Sequence, residues 1–249
     1  MNDRPSHFRD LLTPLSRARY IVWSLTGRKK VLHCTLRDGL ELSIRPNPFM
    51  DWQVAYEMFF LLQYAVPDAA NLSQVANIVD LGANVGYSCL FWAKHYPKAS
   101  ITAFEPHPVH LRLLKQHLES NAVQTHVDLH ESAAGIQEGA ASLTDADANS
   151  SLIVKNGAVK GLIPIKVEDF YTAIGDRPID ILKLDIEGGE YAIMNDPRFE
   201  KLPIKYVVLE YHFHPDYPNG KEWCKTRLTS LGYTIADEPE RSQLVRAWR

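Results

Sequence analysis

One stretch constrains the fold more than any other: Asn77 to Ser88, Asn-Ile-Val-Asp-Leu-Gly-Ala-Asn-Val-Gly-Tyr-Ser. Ile78 and Val79 are β-formers, and Asp80 ends the apolar run. Gly82 and Gly86 let the backbone turn tightly into a helix expected over Val85 to Tyr96 and stopped by Pro97. A strand, a glycine turn and a helix in this order aim a helix N-terminus out of a sheet, a natural ligand platform. The glycines select among ligands. A dinucleotide fingerprint requires glycine at the first, third and sixth positions so that a pyrophosphate can reach the backbone. Counted from Gly82, the third and sixth places hold Asn84 and Tyr87. The pyrophosphate reading fails, and Asp-x-Gly-x-Asn-x-Gly suits a ligand without phosphate, such as S-adenosylmethionine held by its amino-acid end and ribose. An ordinary strand-to-helix turn with two glycines is the plain alternative.

Around this stretch the pattern alternates. Strands are expected at Ser100 to Phe104, His126 to Leu129, Ile179 to Leu184 and Tyr206 to Tyr211, with helices at Val109 to Asn121, Gly189 to Met194 and Glu222 to Leu231. Such alternation implies an α/β fold with a mostly parallel, doubly wound Rossmann-like sheet. Gly232 to Ala236 and Gln243 to Trp248 read as a C-terminal antiparallel hairpin. Between Gly139 and Ile165, small residues with Asp145, Asp147 and Asn149 interrupt the alternation. Two β-like runs there, Ser151 to Val154 and Leu162 to Val167, suggest a surface hairpin, followed by a short helix at Glu168 to Ala173.

Residues 1 to 70 read as an extension and residues 71 to 249 as the ligand-binding domain. In the extension, Leu11, Leu15, Ala18, Val22 and Leu25 recur at helical steps, and this face is expected to pack on the chain's own body. A homodimer contact or a weak contact with an anionic membrane are the other readings. Lys30 to Thr35 and Leu40 to Ile44 flank Asp38-Gly39, a hairpin signal, and Trp52 to Val66 reads as a lid-like helix capped by Asp51.

Strand ends carry the chemistry. An acid about 20 residues past the glycine turn accepts hydrogen bonds from ribose hydroxyls in nucleoside-binding α/β folds, and Glu105 with Pro106 stands at that place. Glu131, Ser132 and Ala133 at the next strand end fall near an adenine by the same rule. In Ile179 to Tyr191 the charges Lys183, Asp185 and Glu187 alternate with Leu182, Leu184 and Ile186 along a strand covered on both faces, so they demand partners. Val208, Glu210, His212 and His214 share a face of the next strand by period two. A buried ion pair of Lys183 with Glu210 is the structural alternative to catalysis. Glu190 reads as a favourable charge at a helix N-terminus, and the remaining histidines have no metal spacing.

A net charge of −3 argues against a nucleic-acid surface, although residues 1 to 30 hold seven Arg or Lys against Asp3 and Asp10. Cys34, Cys89 and Cys224 form no Cys-x-x-Cys pair, which fits a reducing, cytoplasmic compartment without structural zinc. Leu11 to Leu25 contains Pro14, Arg17 and Arg19, too short and charged for an integral membrane segment.

Four blocks resemble the FkbM family of S-adenosylmethionine-dependent methyltransferases: Asp51 with Glu57 and Tyr64; Val79 to Tyr87; Phe104-Glu105-Pro106; and Lys183-Leu-Asp-Ile-Glu-Gly-Gly-Glu190 followed by Leu209-Glu-Tyr-His212. The resemblance implies a class I methyltransferase fold and O-methylation of a sugar or natural-product hydroxyl, macrolides included. It implies that Asp80, Gly82, Ala83, Asn84 and Gly86 hold the amino-acid part of the cofactor, with Glu105, Pro106 and Ser132 towards its nucleoside. Asp185, expected to touch the cofactor as well, then faces the acceptor with Glu187 and Glu210. An alcohol needs a base, for which His212 is expected, oriented by Asp185 or Glu210. The rival is Mg²⁺ held by Asp185, Glu210 and solvent, as in catechol-type methyltransferases. A catalytically silent cofactor-binding module and a nicotinamide-dependent oxidoreductase are the other classes, the second disfavoured by Asn84 and Tyr87.

Overall fold

The computed structural model describes residues 6–46, 48–144, 152–153, 162–236 and 243–249. Its centre is a seven-stranded sheet. Strands β3 (Asn77–Leu81), β4 (Ser100–Phe104), β5 (Val127–His130), β10 (Ile179–Leu184) and β11 (Ile204–Glu210) run parallel in the order β5-β4-β3-β10-β11. The strand β13 (Leu244–Trp248) then lies antiparallel to β11, and β12 (Thr234–Ile235) pairs antiparallel with β13. This is the Rossmann-like class I methyltransferase arrangement, with the C-terminal hairpin expected from the sequence. Its order reverses at β3 and β10, and a ligand crevice opens at such a switch point.

Period-two alternation distributes the central strands between two cores. Ile78, Ile181, Tyr206 and Val208 face one core, shared with α3 (Tyr87–His95), α4 (Pro108–Ser120) and the N-terminal extension. Val79, Leu81, Leu182, Leu184, Val207 and Leu209 face the other, under α5 (Phe170–Ile174), α6 (Glu190–Asn195) and α7 (Gly220–Ser230).

The extension comprises α1 (Pro14–Leu25), the hairpin β1 (Leu32–Thr35) with β2 (Glu41–Ile44), and α2 (Asp51–Phe59). Among the side chains that tie it to the sheet layer, Tyr87 donates its hydroxyl to the Ser43 carbonyl at 2.8 Å, and buried His117 accepts from the Ser43 N–H at 2.9 Å. Here α1 departs from expectation. Its docked face carries Ser16, Tyr20 and Trp23, whereas Leu15, Ala18, Val22 and Leu25, expected inside, face outward. The aromatic side chains decide the orientation, because the Tyr20 and Trp23 rings make tilted contacts with Trp52 of α2 at centroid distances of 5.1 and 6.3 Å.

The helix expected to reach Val66 stops at Phe59. Leu62 takes a left-handed φ of 54°, and the chain then folds inward so that buried Tyr64 reaches the end of β10. In the interrupted region β9 (Leu162–Asp169) pairs antiparallel with β7 (Gly139–Thr144) and parallel with β6 (Ala133–Gly135), while β8 (Leu152–Ile153) borders β7. The partner of the Leu162 run is therefore the Gly139 segment. Ser151, Val154, Asp145, Asp147 and Asn149 lie outside the described residues. Helix α5 begins one residue after Asp169, whose carboxylate accepts from the Tyr171 and Thr172 N–H groups.

Candidate active site

The turn after β3 is closed by the chain itself. Gly82, at φ 86°, brings its backbone so close to β10 that an added Cβ would lie 1.9 Å from the Asp185 carbonyl oxygen, so only glycine fits. Its N–H and that of Ala83 donate to the Phe104 carbonyl at 3.0 and 2.9 Å. Asn84 follows at φ 50°, and Gly86 at φ 86° starts α3. Buried Glu105, just past β4, clamps the turn: one carboxylate oxygen accepts from the Asn84 N–H at 2.8 Å and the other from the His107 N–H at 2.8 Å. The oxygen bound to His107 also lies 3.5 Å from His110 Nδ1, while the oxygen bound to Asn84 keeps a further lone pair. The buried Oδ1 of Asn84 has no hydrogen-bond partner among the described residues.

Beneath the turn lies Lys183, 2% exposed. Its Nζ sits 3.1 Å from Asp80 Oδ1 and 3.4 Å from Asp185 Oδ2, and donates to the Gly82 carbonyl at 2.8 Å. Burial pulls the lysine pKa down, but Asp80 and Asp185 outweigh it and the group stays firmly cationic. The Lys183–Glu210 pair posed as the structural alternative does not form among the described residues; Asp80 takes the ammonium instead. Asp185 also accepts from the Tyr64 hydroxyl at 3.1 Å.

Beyond the ends of β10 and β11 a charged cluster gathers. His212 Nδ1 lies 2.8 Å from Glu190 Oε1, and its Nε2 lies 3.8 Å from Asp185 and 3.7 Å from Glu187. Glu190 is fully buried and accepts from the Ile186 and Gly188 N–H groups at 2.8 and 2.9 Å. It anchors the loop from inside, more than the helix-end charge expected of it. Burial lowers the His212 pKa, but the Glu190 hydrogen bond and the charges of Glu190, Asp185 and Glu187 overrule it, raising the ring to about 9. At neutral pH His212 is an imidazolium. Glu210 moves up to about 7, first through burial, then through Asp185. Burial also raises Glu57 and Glu187, each next to Asp185.

One cavity of about 390 Å³ joins the two regions. At one end lie Gly82, Asn84, Phe104, Glu105, Pro106 and Ala133; at the other lie Glu57, Asp185, Glu187, Glu210 and His212. Of the expected site residues, Asp80, Ala83, Gly86 and Ser132 do not line it. Asp80 is sealed behind Lys183, Gly86 packs against Leu114, and Ser132 is fully buried. Glu131 turns away to Lys115 at 2.7 Å. Among the described residues no group of three or more His, Cys, Asp or Glu side chains is arranged to hold a metal ion.

Sequence reasoning assigned no role to Tyr64, His107, His110 or the α2 residues Gln53 and Val54, although all but Tyr64 line the cavity. A stacked His107–His110 pair, 4.4 Å between centroids, follows from the i, i+3 spacing at a helix start. Tyr64 stood in the sequence only as part of the resemblance block with Asp51 and Glu57, and the break in α2 brings it to Asp185.

A family model described as the methyltransferase FkbM domain matches residues 80–235. Methyltransferase 1 of Beauveria bassiana (strain ARSEF 2860) is 25% identical over 228 residues, 80% of this chain and 88% of that protein. Methyltransferase sdnD of Sordaria araneosa is 29% identical over 161 residues, 51% of this chain and 62% of that protein. The crystal structure of methyltransferase FkbM from Methylobacillus flagellatus KT is similar with a TM-score of 0.45 and 14% identity, over 94% of this chain and 59% of that one.

Proposed function

The chain belongs to the FkbM methyltransferase domain family, and we propose from this premise that it methylates a hydroxyl of a small molecule, a sugar or macrolide-like natural product, with S-adenosylmethionine as donor. The residues at the glycine-turn end of the cavity fit that donor. Asn84 Oδ1, buried and without a partner among the described residues, is an acceptor for the amino group of its amino-acid part, and the spare lone pair on the Asn84-bound oxygen of Glu105 suits a ribose hydroxyl. Phe104, Pro106 and Ala133 supply apolar wall for the base. Asp80, Ala83 and Gly86 are assigned to shaping the turn, and Ser132 to packing behind it. The donor supplies a methyl group already activated by its sulfonium, so the chain's work is alignment, exclusion of water and removal of one proton.

That proton is the harder part, since a hydroxyl resembles water, whose pKa is about 15.7. A base acts best when its pKa lies near the working pH. We assign this role to Glu210, raised to about 7, and not to His212, which at about 9 already carries its proton. With the donor bound, the acceptor oxygen would take the methyl carbon as the carbon–sulfur bond breaks, the electron pair leaving on sulfur as S-adenosylhomocysteine, and the hydroxyl proton would pass to the Glu210 carboxylate. Protonated His212 offsets the charge of Asp185 and Glu187, which lets carboxylates crowd one wall and bind acceptor hydroxyls. The observation that carries this reading is the single cavity with Asn84 and Glu105 at one end and the Glu210–His212 pair at the other.

Calorimetry with S-adenosylhomocysteine and with NAD, followed by labelled methyl transfer to a panel of hydroxylated acceptors, tests it. The homocysteine derivative is expected to bind and NAD not to. Glu210→Gln is expected to lower turnover by about 10² to 10⁴ with binding intact. NAD binding alone would favour an oxidoreductase, and unchanged turnover in Glu210→Gln would remove the base.

A further inference from the structure

Helix α1 is apolar on the side turned away from the protein. Successive residues of an α-helix advance by about 100°, so Leu15, Ala18, Val22 and Leu25 form one stripe, with Ile21 at its edge, roughly opposite the docked face of Ser16, Tyr20 and Trp23. Leu15 is 63% exposed, Val22 60%, Leu25 82% and Ile21 43%. Arg17 and Arg19 bracket this stripe on its two sides, Arg17 lying 3.4 Å from Asp10, and Lys29 and Lys30 follow the helix end, while Arg28 lies over the Trp23 and Trp52 rings on the docked side.

We propose that this face is a docking surface for an anionic membrane, with α1 lying in the plane of the headgroups. An apolar stripe flanked by cations is the design of an interfacial helix, in which leucines and valines enter the acyl boundary while guanidinium and ammonium groups meet lipid phosphates. Charge distribution supports the same partner. From Ser6 to Val31 the chain has six cations against Asp10 alone, whereas the whole chain is at −3. The body is therefore repelled by an anionic surface while this end is attracted, which fixes which side approaches. A second copy of the chain fits less well. A two-fold contact would set Arg17 and Arg19 against their own counterparts. A 12-residue helix is also only about 18 Å long and 10 Å wide, offering roughly 200 Å², against about 800 Å² per partner in a stable interface. Lipid needs no such area from a single patch.

The docked helix is also one element from the cavity, since Trp52 of α2 packs at a tilt against Tyr20, 5.1 Å between centroids, while Gln53, Val54 and Glu57 of α2 line the cavity wall. Membrane attachment would hold the acceptor site beside the lipid surface.

Co-sedimentation of the full chain with vesicles of phosphatidylcholine alone, and with one third phosphatidylglycerol, tests the proposal. The chain is expected to sediment with the anionic vesicles, and less so as salt rises. The double variant Val22→Asp, Leu25→Asp is expected to lower the partition coefficient more than tenfold, and Arg19→Gln about fivefold. Both should melt like the parent by circular dichroism, because these side chains are exposed. Two results would overturn it: sedimentation no greater with anionic than with neutral vesicles, or a dimer by light scattering that the double variant converts to monomer.

Discussion

The buried pair of Lys183 and Asp80 permits a quantitative test of how this site is built. At 3.1 Å and an effective dielectric constant of about 20, their attraction is about 5 kcal/mol, a gross figure set against a desolvation cost of several kcal/mol for each ion. The net value of the pair is small. Breaking it is another matter, because Lys183→Met leaves the fully buried Asp80 carboxylate without its cation, which costs about 3 to 5 kcal/mol. Adding Asp80→Asn removes the stranded charge. The double variant should then recover to within about 1 to 2 kcal/mol of the parent, the remainder reflecting the lost bond to the Gly82 carbonyl. Equilibrium urea unfolding of the parent, both single variants and the double completes the cycle. A loss below 1 kcal/mol in Lys183→Met, or strict additivity in the double, would refute the argument that the lysine exists to neutralise Asp80.

The rate of methyl transfer should be bell-shaped in pH. It should rise through about 7 as Glu210 loses its proton and fall through about 9 as His212 loses the charge that balances its neighbours; a profile flat from 6 to 8 would remove Glu210 as base. Glu190→Gln weakens the interaction that holds His212 protonated, so the ring should titrate closer to 6.5 by NMR; an unmoved value near 9 would assign the shift to Asp185 and Glu187. Tyr64→Phe deletes a hydrogen bond to the Asp185 carboxylate worth about 1.5 to 3 kcal/mol and should lower kcat/KM about ten- to a hundredfold, whereas an unchanged value would make the tyrosine a packing residue.

The sheet was legible because its signals are local and repeated. The central parallel strands β3, β10 and β11 are largely apolar runs bounded by turns, and the glycine turn marks where a helix leaves the sheet. The N-terminal helix was legible as a helix but not in its orientation. Its hydrophobic stripe is real, yet the docked side is won by Tyr20 and Trp23, whose rings meet Trp52 across a loop that no periodicity connects. The early end of α2 was likewise invisible, since residues 60 to 66 retain helical patterning. It follows from where Tyr64 is needed and from the left-handed turn at Leu62.

At the site, the sequence identified which strand ends carry charge but not which charges balance which. Alternation put Lys183, Asp185 and Glu210 on related faces, and by charge alone Lys183 with Glu210 was as reasonable as Lys183 with Asp80. Register decides it: Lys183 lies directly beside Asp80 in the β10–β3 ladder, whereas its partner in β11 is apolar Val208. The assignment of acid and base turns on a second long-range fact. Glu190, three residues past Glu187 and read from the sequence as a helix-end charge, is drawn into the interior by the Ile186 and Gly188 N–H groups and from there reaches His212. A buried carboxylate beside an imidazole keeps that ring protonated. This is why the proposed proton acceptor is Glu210, which burial and Asp185 raise to about 7, and not the histidine that shares its strand face.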